Sequence, residues 1–287
     1  MKKLLTFVIL IILMSASAAS AQSELETGRN LFDRGRYQEA YASLWPYVQT
    51  GNPEAVFLAL IIRRNGLDGR RAAEAAEMSA LWKLLADGET LMRQGLRDRR
   101  LSADTLDVYR TALAQLEYFG PAAPVWPPVS SDNERAKRGG RAERTLGPAA
   151  LRYPPAMNFI AFVYLELQSG SDVPAFRHTL SAAEKGDHLA MGNLAWMYRD
   201  GVGTAKNDIR AAHWARVGCD SIPPVPRNAN EVGYVYESGR GVSQDQTEAL
   251  AWYEKAAAGG HPAGRVNVQR LKSKSPAAPV LDNRILF

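Results

Sequence analysis

The chain has almost no cysteine, and this limits what can hold it together. Cys219 is the only cysteine among 287 residues, so no disulfide can form within the chain. Packing of apolar side chains must therefore stabilise the fold, even if the protein is exported. Cys219 could be a reactive or intermolecular thiol, but we favour a small residue that follows a helix ending near Gly218.

The sequence also lacks the residue spacings of catalytic and metal sites. No pair among its four histidines has metal-ligand spacing, and the motifs HExxH and GxSxG are absent. Two Gly-x-Gly segments, 201–203 and 239–241, follow predicted helices, whereas a nucleotide-binding loop would follow a strand. We therefore predict a protein that is not an enzyme and that uses no cofactor and no metal.

Neither sign of charge dominates the sequence. It has 35 lysine and arginine residues and 30 aspartate and glutamate residues, for a formal net charge of +5. Loss of Lys2 and Lys3 with an N-terminal leader would reduce the charge to +3. Such a small excess is not typical of a nucleic-acid-binding surface, and we predict no nucleic-acid partner.

Only one long apolar run occurs, at residues 4–14, and it is too short to span a bilayer. It follows two lysines and precedes the small-residue motif Ala19-Ser20-Ala21, which is the composition of a cleaved secretory signal peptide. We predict a signal peptide at 1–21 with cleavage near Ala21/Gln22. The short leader is typical of bacterial export, so we predict a periplasmic protein without a membrane span after cleavage.

What the chain does contain is a repeated helical pattern. Residues 229–263 predict two short amphipathic helices joined by a glycine-containing loop, and the same pattern occurs 38 residues upstream. Helices this short must bury their apolar faces against a neighbour, so we expect Trp214 and Trp252 to be buried. The repeat tyrosine, Tyr198 or Tyr236, lies on the apolar face of its helix and should also be buried. The matched positions are Leu194/Val232, Ala195/Gly233, Tyr198/Tyr236, Gly201/Gly239, Gly203/Gly241, Asn207/Asp245, Ala211/Ala249 and Trp214/Trp252.

These positions resemble the Sel1-like repeat, a relative of the tetratricopeptide repeat. The match is close for 229–260 and good for 190–218, whereas the copies near 156–186 and 37–69 are degenerate. The resemblance implies an all-α protein, a right-handed α-solenoid of stacked helical hairpins that binds another protein. It does not imply a particular partner.

Proline and charge interrupt the predicted solenoid. Seven prolines flank a charged segment in 119–155, which predicts a loop or linker. The predicted organisation is a signal peptide (1–21), an N-terminal helical region with a degenerate repeat (22–119), a Pro-rich linker (120–155), Sel1-like repeats (156–272) and a mobile tail (273–287). The linker's basic residues could bind an acidic surface or lie in a solvated loop: Arg135, Lys137, Arg138, Arg141 and Arg144.

A candidate binding surface follows from the helical geometry of the repeats. At ~100° per residue, the position two before the repeat tyrosine lies about 160° from it, away from the buried stripe. Three aromatic residues at that position predict a ladder on the inner wall, the face that tetratricopeptide relatives use for ligands. The alternative is that these rings pack between the first helices of neighbouring repeats. The candidate residues are Phe162, Trp196 and Tyr234, flanked by Arg199, Glu237, Asn158 and Asn230.

Three functional hypotheses follow from the leader and the resemblance. The protein could be an adaptor or regulator of an envelope or signalling complex. It could be an immunity protein that neutralises a secreted toxic hydrolase. It could also be an enzyme or ligand-binding protein that acts on peptidoglycan, although no residue pattern indicates that chemistry.

Overall fold

The computed structural model describes residues 22–70, 75–98, 100–120, 132–167, 172–275 and 277–281. These residues form fourteen α-helices and one short 3-10 helix, and no strand occurs among them, so the all-α prediction is confirmed. Within the same ranges no helix is long and apolar enough to cross a membrane. The predicted signal peptide lies outside the described residues.

The helices follow one another closely along the chain. They are α1 (22–33), α2 (Tyr37–Gln49), α3 (Pro53–Asn65), α4 (Ala75–Asp87), α5 (Glu89–Gly95), α6 (Ala103–Phe119), α7 (Asp132–Leu146), α8 (Pro154–Glu166), α9 (Asp172–Glu184), α10 (His188–Asp200), α11 (Asp208–Val217), α12 (Pro226–Ser238), α13 (Gln246–Ala258) and α14 (Pro262–Lys272), with the 3-10 helix at Ala149–Leu151.

Consecutive helices pair as hairpins that stack on one another. Helix α8 packs on α9, α10 on α11 and α12 on α13, and α14 completes the stack against α12 and α13. Contacts between α9 and α10 and between α11 and α12 join each hairpin to the next. This arrangement is an all-α solenoid, as the repeat pattern predicts.

The loops inside the repeat hairpins begin at glycine for a backbone reason. Gly201 and Gly239 end α10 and α12 in the left-handed region, with φ of 79° and 66°, where a side chain would be strained. The following helices begin at polar caps. Asn207 accepts a hydrogen bond from the N–H of Arg210, and Asp245 accepts two from the start of α13.

The second glycine of each loop lies against the preceding hairpin. A Cβ at Gly203 would lie 2.1 Å from the carbonyl oxygen of Asp172, at the start of α9. A Cβ at Gly241 would lie 2.5 Å from the carbonyl oxygen of Asp208, at the start of α11. The Gly-x-Gly segment is therefore a contact between hairpins as well as a turn within one.

The N-terminal helices form the largest apolar core, with α3 at its centre. Every residue of 53–63 is buried, which leaves α3 without a solvent-facing side. The same core continues through α6 and α8 to Leu189 and Val225, at the starts of α10 and α12. The core therefore extends from the N-terminal helices into the repeats without a break at the predicted linker.

The prediction that the charged segment is a loop is wrong for residues 132–146. These residues form helix α7. Its buried positions are Gly139, Ala142 and Leu146, at the i, i+3 and i+7 spacing of one helical face. This stripe packs toward α8, where a Cβ at Gly139 would meet Val163 at 3.2 Å. The prolines lie outside 132–146, so they bound the helix and do not break it.

The basic residues of this segment lie on the exposed side of α7. Lys137, Arg141 and Arg144 are exposed, whereas Arg138 donates to Glu134 at 2.9 Å, one turn earlier. The stretch 121–131, which contains four of the prolines, lies outside the described residues. The domain boundaries proposed from composition stay predictions.

The repeat tryptophans are less buried than predicted. Trp214 and Trp252 are partly exposed, and the Lys255 ammonium lies 3.6 Å from the centre of the Trp252 ring. The buried face of α13 is formed by positions 249, 253 and 256, so position 252 falls at its edge. Tyr253 is the fully buried aromatic residue, and it fills the space left by Gly233 on α12.

The two repeat tyrosines also differ in burial, and the prediction is wrong for Tyr236. Tyr198 is buried and meets the edge of Phe176, the fifth residue of α9, with ring centroids 5.3 Å apart. Tyr236 packs against the cluster that includes Val232 but stays partly exposed. The fifth residue of α11 is Ala212, which has no ring to cover a neighbouring tyrosine. The side chain that the preceding hairpin offers therefore decides how deeply the repeat tyrosine is buried.

The burial of α13 predicts which aromatic residue stabilises the last repeat. Tyr253→Ala should lower the free energy of unfolding by about 3–5 kcal/mol, because it leaves a cavity in a closed core. Trp252→Ala should cost only about 1–2 kcal/mol, since its ring keeps contact with water. Urea unfolding of both variants tests the order. A larger loss for Trp252→Ala would contradict the packing described for α13.

Candidate functional site

The predicted aromatic ladder does not form, because Phe162 is buried. Its side chain is fully inaccessible and stacks on Phe119 and Phe159, with ring centroids 6.0 and 5.8 Å apart, and it meets the edge of Tyr118 at 5.6 Å. Helix α6 covers the face of α8 that sequence analysis expected to be open. At this position the alternative, packing between helices, describes the molecule.

The other two rings keep part of their surface open. Trp196 lies partly exposed beside a small cluster that includes Met197. Tyr234 is also partly exposed, and its hydroxyl accepts a hydrogen bond from Arg240 at 3.2 Å. The Arg199 guanidinium lies 5.7 Å from the centre of the Tyr234 ring, within the range of a cation–π contact.

The predicted flanking charges are used inside the protein. Arg199 is 5% exposed and forms a buried ion pair with Glu231, as well as a pair with Asp200 at 2.9 Å. Glu237 accepts hydrogen bonds from the Tyr253 hydroxyl at 2.8 Å and from the Arg270 guanidinium. These contacts tie successive first helices together. The sequence predicts that Arg199 and Glu237 flank an open binding surface. In the structure both are used in contacts between helices, so this prediction is wrong.

Four buried asparagines form a row along the first helices of the repeats. Each lies five or six residues after the N-cap of its helix: Asn158 on α8, Asn193 on α10, Asn230 on α12 and Asn267 on α14. We call this set the asparagine row. Asn158 and Asn230 belong to the sequence-predicted site, whereas the other two were missed.

The row consists of two amide pairs with the same geometry. Asn193 Nδ2 donates to Asn158 Oδ1 at 2.9 Å, and Asn267 Nδ2 donates to Asn230 Oδ1 at 3.0 Å. Each pair joins the first helices of two neighbouring repeats. A side-chain amide has two N–H donors and an oxygen that accepts two hydrogen bonds. Each pair therefore has further donors and acceptors that other groups must satisfy.

At the second pair the partner is a peptide backbone. Val280 donates its N–H to Asn267 Oδ1 at 2.7 Å, and its carbonyl accepts from Asn267 Nδ2 at 2.8 Å and from Asn230 Nδ2 at 3.2 Å. Residues 277–281 are thus docked on the repeats in this structure, whereas the predicted mobility of the tail stays a prediction. A backbone segment lies over the row because side-chain amides satisfy both of its hydrogen-bonding groups.

At the Asn158–Asn193 pair an arginine side chain takes the place that the Val280 backbone has at the other pair. Arg227, at the start of α12, donates from Nη1 to Asn193 Oδ1 at 2.7 Å. Asn193 Oδ1 corresponds to the atom of Asn267 that accepts the Val280 N–H. The two pairs thus offer the same acceptor, to a guanidinium in one case and to a peptide in the other.

Residues with possible chemistry also lie outside the asparagine row. Burial raises the pKa of the Cys219 thiol to about 12, which disfavours the reactive thiolate. Across the part of the chain that the structure describes, no group of three His, Cys, Asp or Glu residues could hold a metal ion. The four histidines are His178, His188, His213 and His261. His261 caps α14 by accepting a hydrogen bond from the N–H of Gly264.

A sequence signal for the missed asparagines exists but is weak. Asn occupies position five or six in all four first helices of the repeats. A comparison that counts a fixed number of residues back from the repeat tyrosine misses it, because the position of the asparagine varies by one residue. The tail contact has no such signal, since Val280 is ordinary in type and lies in a Pro- and Ala-rich segment.

Comparison with known proteins identifies the repeats. Residues 188–221 and 229–261 each match the Sel1 repeat family model. Over 123 residues the chain is 32% identical to the chitin synthase regulator SKT5 of Saccharomyces cerevisiae. That match covers 40% of this chain and 17% of the yeast protein's length.

Two solved structures are similar over 91% of this chain, each with a TM-score of 0.48. One is a Sel1 repeat protein from Oxalobacter formigenes, which is 16% identical and of which 93% is covered. The other is c5321, a protective antigen of uropathogenic Escherichia coli strains with an SLR fold, which is 17% identical and of which 59% is covered.

The matched ranges coincide with helical hairpins of the solenoid. The first contains α10 and α11, and the second contains most of α12 and all of α13. Sel1 repeat proteins are generally non-catalytic, and their repeats imply a role in binding other proteins. The chain therefore contains two Sel1 repeats, at 188–221 and 229–261.

Proposed function

We propose that the protein is an adaptor that holds an extended segment of a partner protein along the asparagine row. One observation carries this proposal: Asn267 satisfies both the N–H and the carbonyl of Val280. An amide side chain that pairs with a peptide group in this way recognises backbone, whatever side chain that residue carries. Extended peptides bound through their main chain use the same physical principle.

The surroundings of the row supply contacts for the partner's side chains. Tyr234 lies four residues after Asn230, and Trp196 lies three residues after Asn193, so each ring is one helical turn from the row. Partly exposed aromatic rings beside polar groups are typical of residues that dominate binding energy. Main-chain pairing would give affinity, and the two rings would select among sequences.

In this proposal the tail is an occupant that a partner replaces. Residues 277–281 cover the Asn230–Asn267 pair, so a partner segment must displace them to reach it. The apparent affinity for the partner equals the intrinsic affinity multiplied by the fraction of molecules in which the row is free, so a competing internal segment lowers it. The protein would then bind weakly until the tail is released.

The compartment and the type of complex belong to the same proposal. The leader-like segment at 1–21 supports export to the periplasm, where an adaptor could regulate an envelope or signalling complex. The resemblance to repeats of a yeast synthase regulator is compatible with a regulatory role but extends over a small part of that protein.

Two substitutions should change partner capture in opposite directions. Val280→Pro removes the N–H that donates to Asn267. The tail is then held less tightly, through the two hydrogen bonds of the Val280 carbonyl, while the row stays intact. At about 1 kcal/mol for one hydrogen bond, capture should rise roughly fivefold. Asn267→Leu removes the recognising amide, so capture should fall. The measurement is cross-linked capture by the full chain from the native envelope fraction, quantified by mass spectrometry.

Matched controls separate these effects from general damage. Ala278→Pro places the same residue in the same tail but leaves the Val280 N–H in place. Asn65→Ala removes an asparagine whose side chain bonds only within α3, to the Ile61 carbonyl. Both controls should capture like the parent protein. Equal capture by all four variants would show that the partner uses another face. If neither the parent protein nor any variant captured a partner, the adaptor proposal would be contradicted.

Export makes a separate prediction about the mature chain. If residues 1–21 are removed by a signal peptidase, protein purified from the periplasm should begin at Gln22. N-terminal sequencing of the native protein tests this. A chain that still begins at Met1 and fractionates with the cytoplasm would contradict the proposed location.

A further inference from the structure

A cleft of about 360 Å³ lies between the N-terminal helices and the loop that precedes α10. Its floor is apolar and includes Phe32, Ile61 and Leu189, all buried in the main core. Three carboxylates line it: Asp33 at the end of α1, Asp104 in the first turn of α6 and Asp187 at the N-cap of α10. They lie far apart in the sequence, and the fold brings them to one cavity.

The arginines at the cleft are committed to other carboxylates. Arg29 donates to Glu54 at 2.7 Å, and Arg152 forms an ion pair with Asp107. Within the described ranges neither Asp33 nor Asp187 forms an ion pair. Asp187 instead accepts from the N–H of Ala190 at 2.8 Å. The cleft therefore has carboxylates that no basic side chain neutralises directly.

A buried hydroxyl in the same lining also has no partner. Tyr153 is 7% exposed and lines the cleft, and its hydroxyl makes no hydrogen bond in the described part of the protein. Tyr37, also in the lining, has its hydroxyl 3.3 Å from His188 Nδ1. A buried polar atom without a partner is costly, so a ligand that reached this hydroxyl, which has less than 1 Å² of accessible surface, would satisfy it.

We propose that this cleft binds an alkylammonium group, with Asp33, Asp187 and the Tyr153 hydroxyl as its acceptors. An ammonium carries three N–H donors and no acceptor, which matches two carboxylates and one hydroxyl oxygen. The apolar floor suits the methylene chain that precedes the charge. The group could come from a lysine side chain of a bound protein or from a free amine, and the chemistry of recognition is the same.

The surrounding charges agree with a cationic ligand. Asp33 keeps exposed surface, and partial desolvation raises the pKa of its carboxyl to about 6, an effect that Arg29 opposes and that Asp104 and Glu54 reinforce. Burial also raises the pKa of Asp187 to about 6, opposed by backbone N–H groups and reinforced by Asp33.

The rim carries charges of both signs. It contains Asp104 and Lys185, both exposed, in addition to Arg29 and Arg152 with their partners. A bound cation would stabilise both carboxylates, Asp33 and Asp187, in their charged form. Binding should therefore strengthen as the pH rises through about 6.

The test compares a charged probe with its neutral isostere on the full chain. The probe is N-acetyl-lysine N-methylamide, the isostere is the norleucine analogue, and n-butylamine represents a free amine. Binding is measured by calorimetry and by amide chemical shifts near Asp33 and Asp187. We expect the lysine probe to bind, the norleucine probe not to bind, and lysine affinity to fall about tenfold or more between about pH 7.5 and pH 5.

Substitutions assign the acceptors. Asp33→Asn and Asp187→Asn should each weaken the lysine probe about tenfold, the loss of one charge-assisted hydrogen bond, and Tyr153→Phe about threefold. Asparagine caps helices as well as aspartate, so Asp187→Asn should keep α10 intact. Asp245→Asn is the matched control, the same change at the N-cap of α13, away from the cleft.

Each outcome decides the proposal. Preference for the lysine probe over n-butylamine would identify a protein side chain as the source, whereas comparable affinity would indicate a free amine, and both support the site. Equal binding of the norleucine and lysine probes would overturn it. So would full affinity in Asp33→Asn and Asp187→Asn with unchanged circular dichroism, or no binding up to about 10 mM probe.

Discussion

Every helix in the repeat region is too short to persist alone, and this constraint governs the rest of the structure. A thirteen-residue helix such as α10 or α12 gains most of its stability by burying one face against neighbours. Close approach between hairpins is therefore required. Small residues provide it, with Gly203 and Gly241 placed where a Cβ would collide with the backbone of the preceding hairpin. The repeated geometry of successive hairpins follows from these two contacts.

The repeats also bury charge and amides between their first helices. Arg199 pairs with Glu231, and Arg270 pairs with Glu237, each across the boundary between successive first helices. Buried ion pairs recover little net stability because desolvation is costly. They do penalise any other stacking register, since a shifted register would leave one charge buried without its partner. The asparagine pairs act in the same way with neutral groups.

The asparagine row connects this packing to binding. An interface that already pairs amides between helices has further donors and acceptors to offer, and at Asn267 a backbone segment uses them. The structural and recognition roles thus share the same side chains. Loss of one asparagine would both leave an unsatisfied partner in the stack and remove a contact to the segment above it.

The N-terminal helices add what the repeats alone do not have. They cover one face of α8, which buries Phe162, and they supply Asp33 and Tyr37 to the cleft that ends at α10. Gly35 also accepts a hydrogen bond from the N–H of Ile222 at 2.9 Å, so the loop after α11 contacts the N-terminal helices. This loop therefore joins two parts of the chain.

The sequence by itself determined the features that depend on near neighbours. Helical periodicity, the positive-φ glycines Gly201 and Gly239 and the polar caps Asn207 and Asp245 are all set within a few residues. Tertiary structure decided which faces are open. The burial of Phe162, the partial exposure of Tyr236, the docking of Val280 and the meeting of Asp33 with Asp187 depend on contacts between distant segments. Such contacts leave no period or spacing in the chain, because they depend on how separate helices pack.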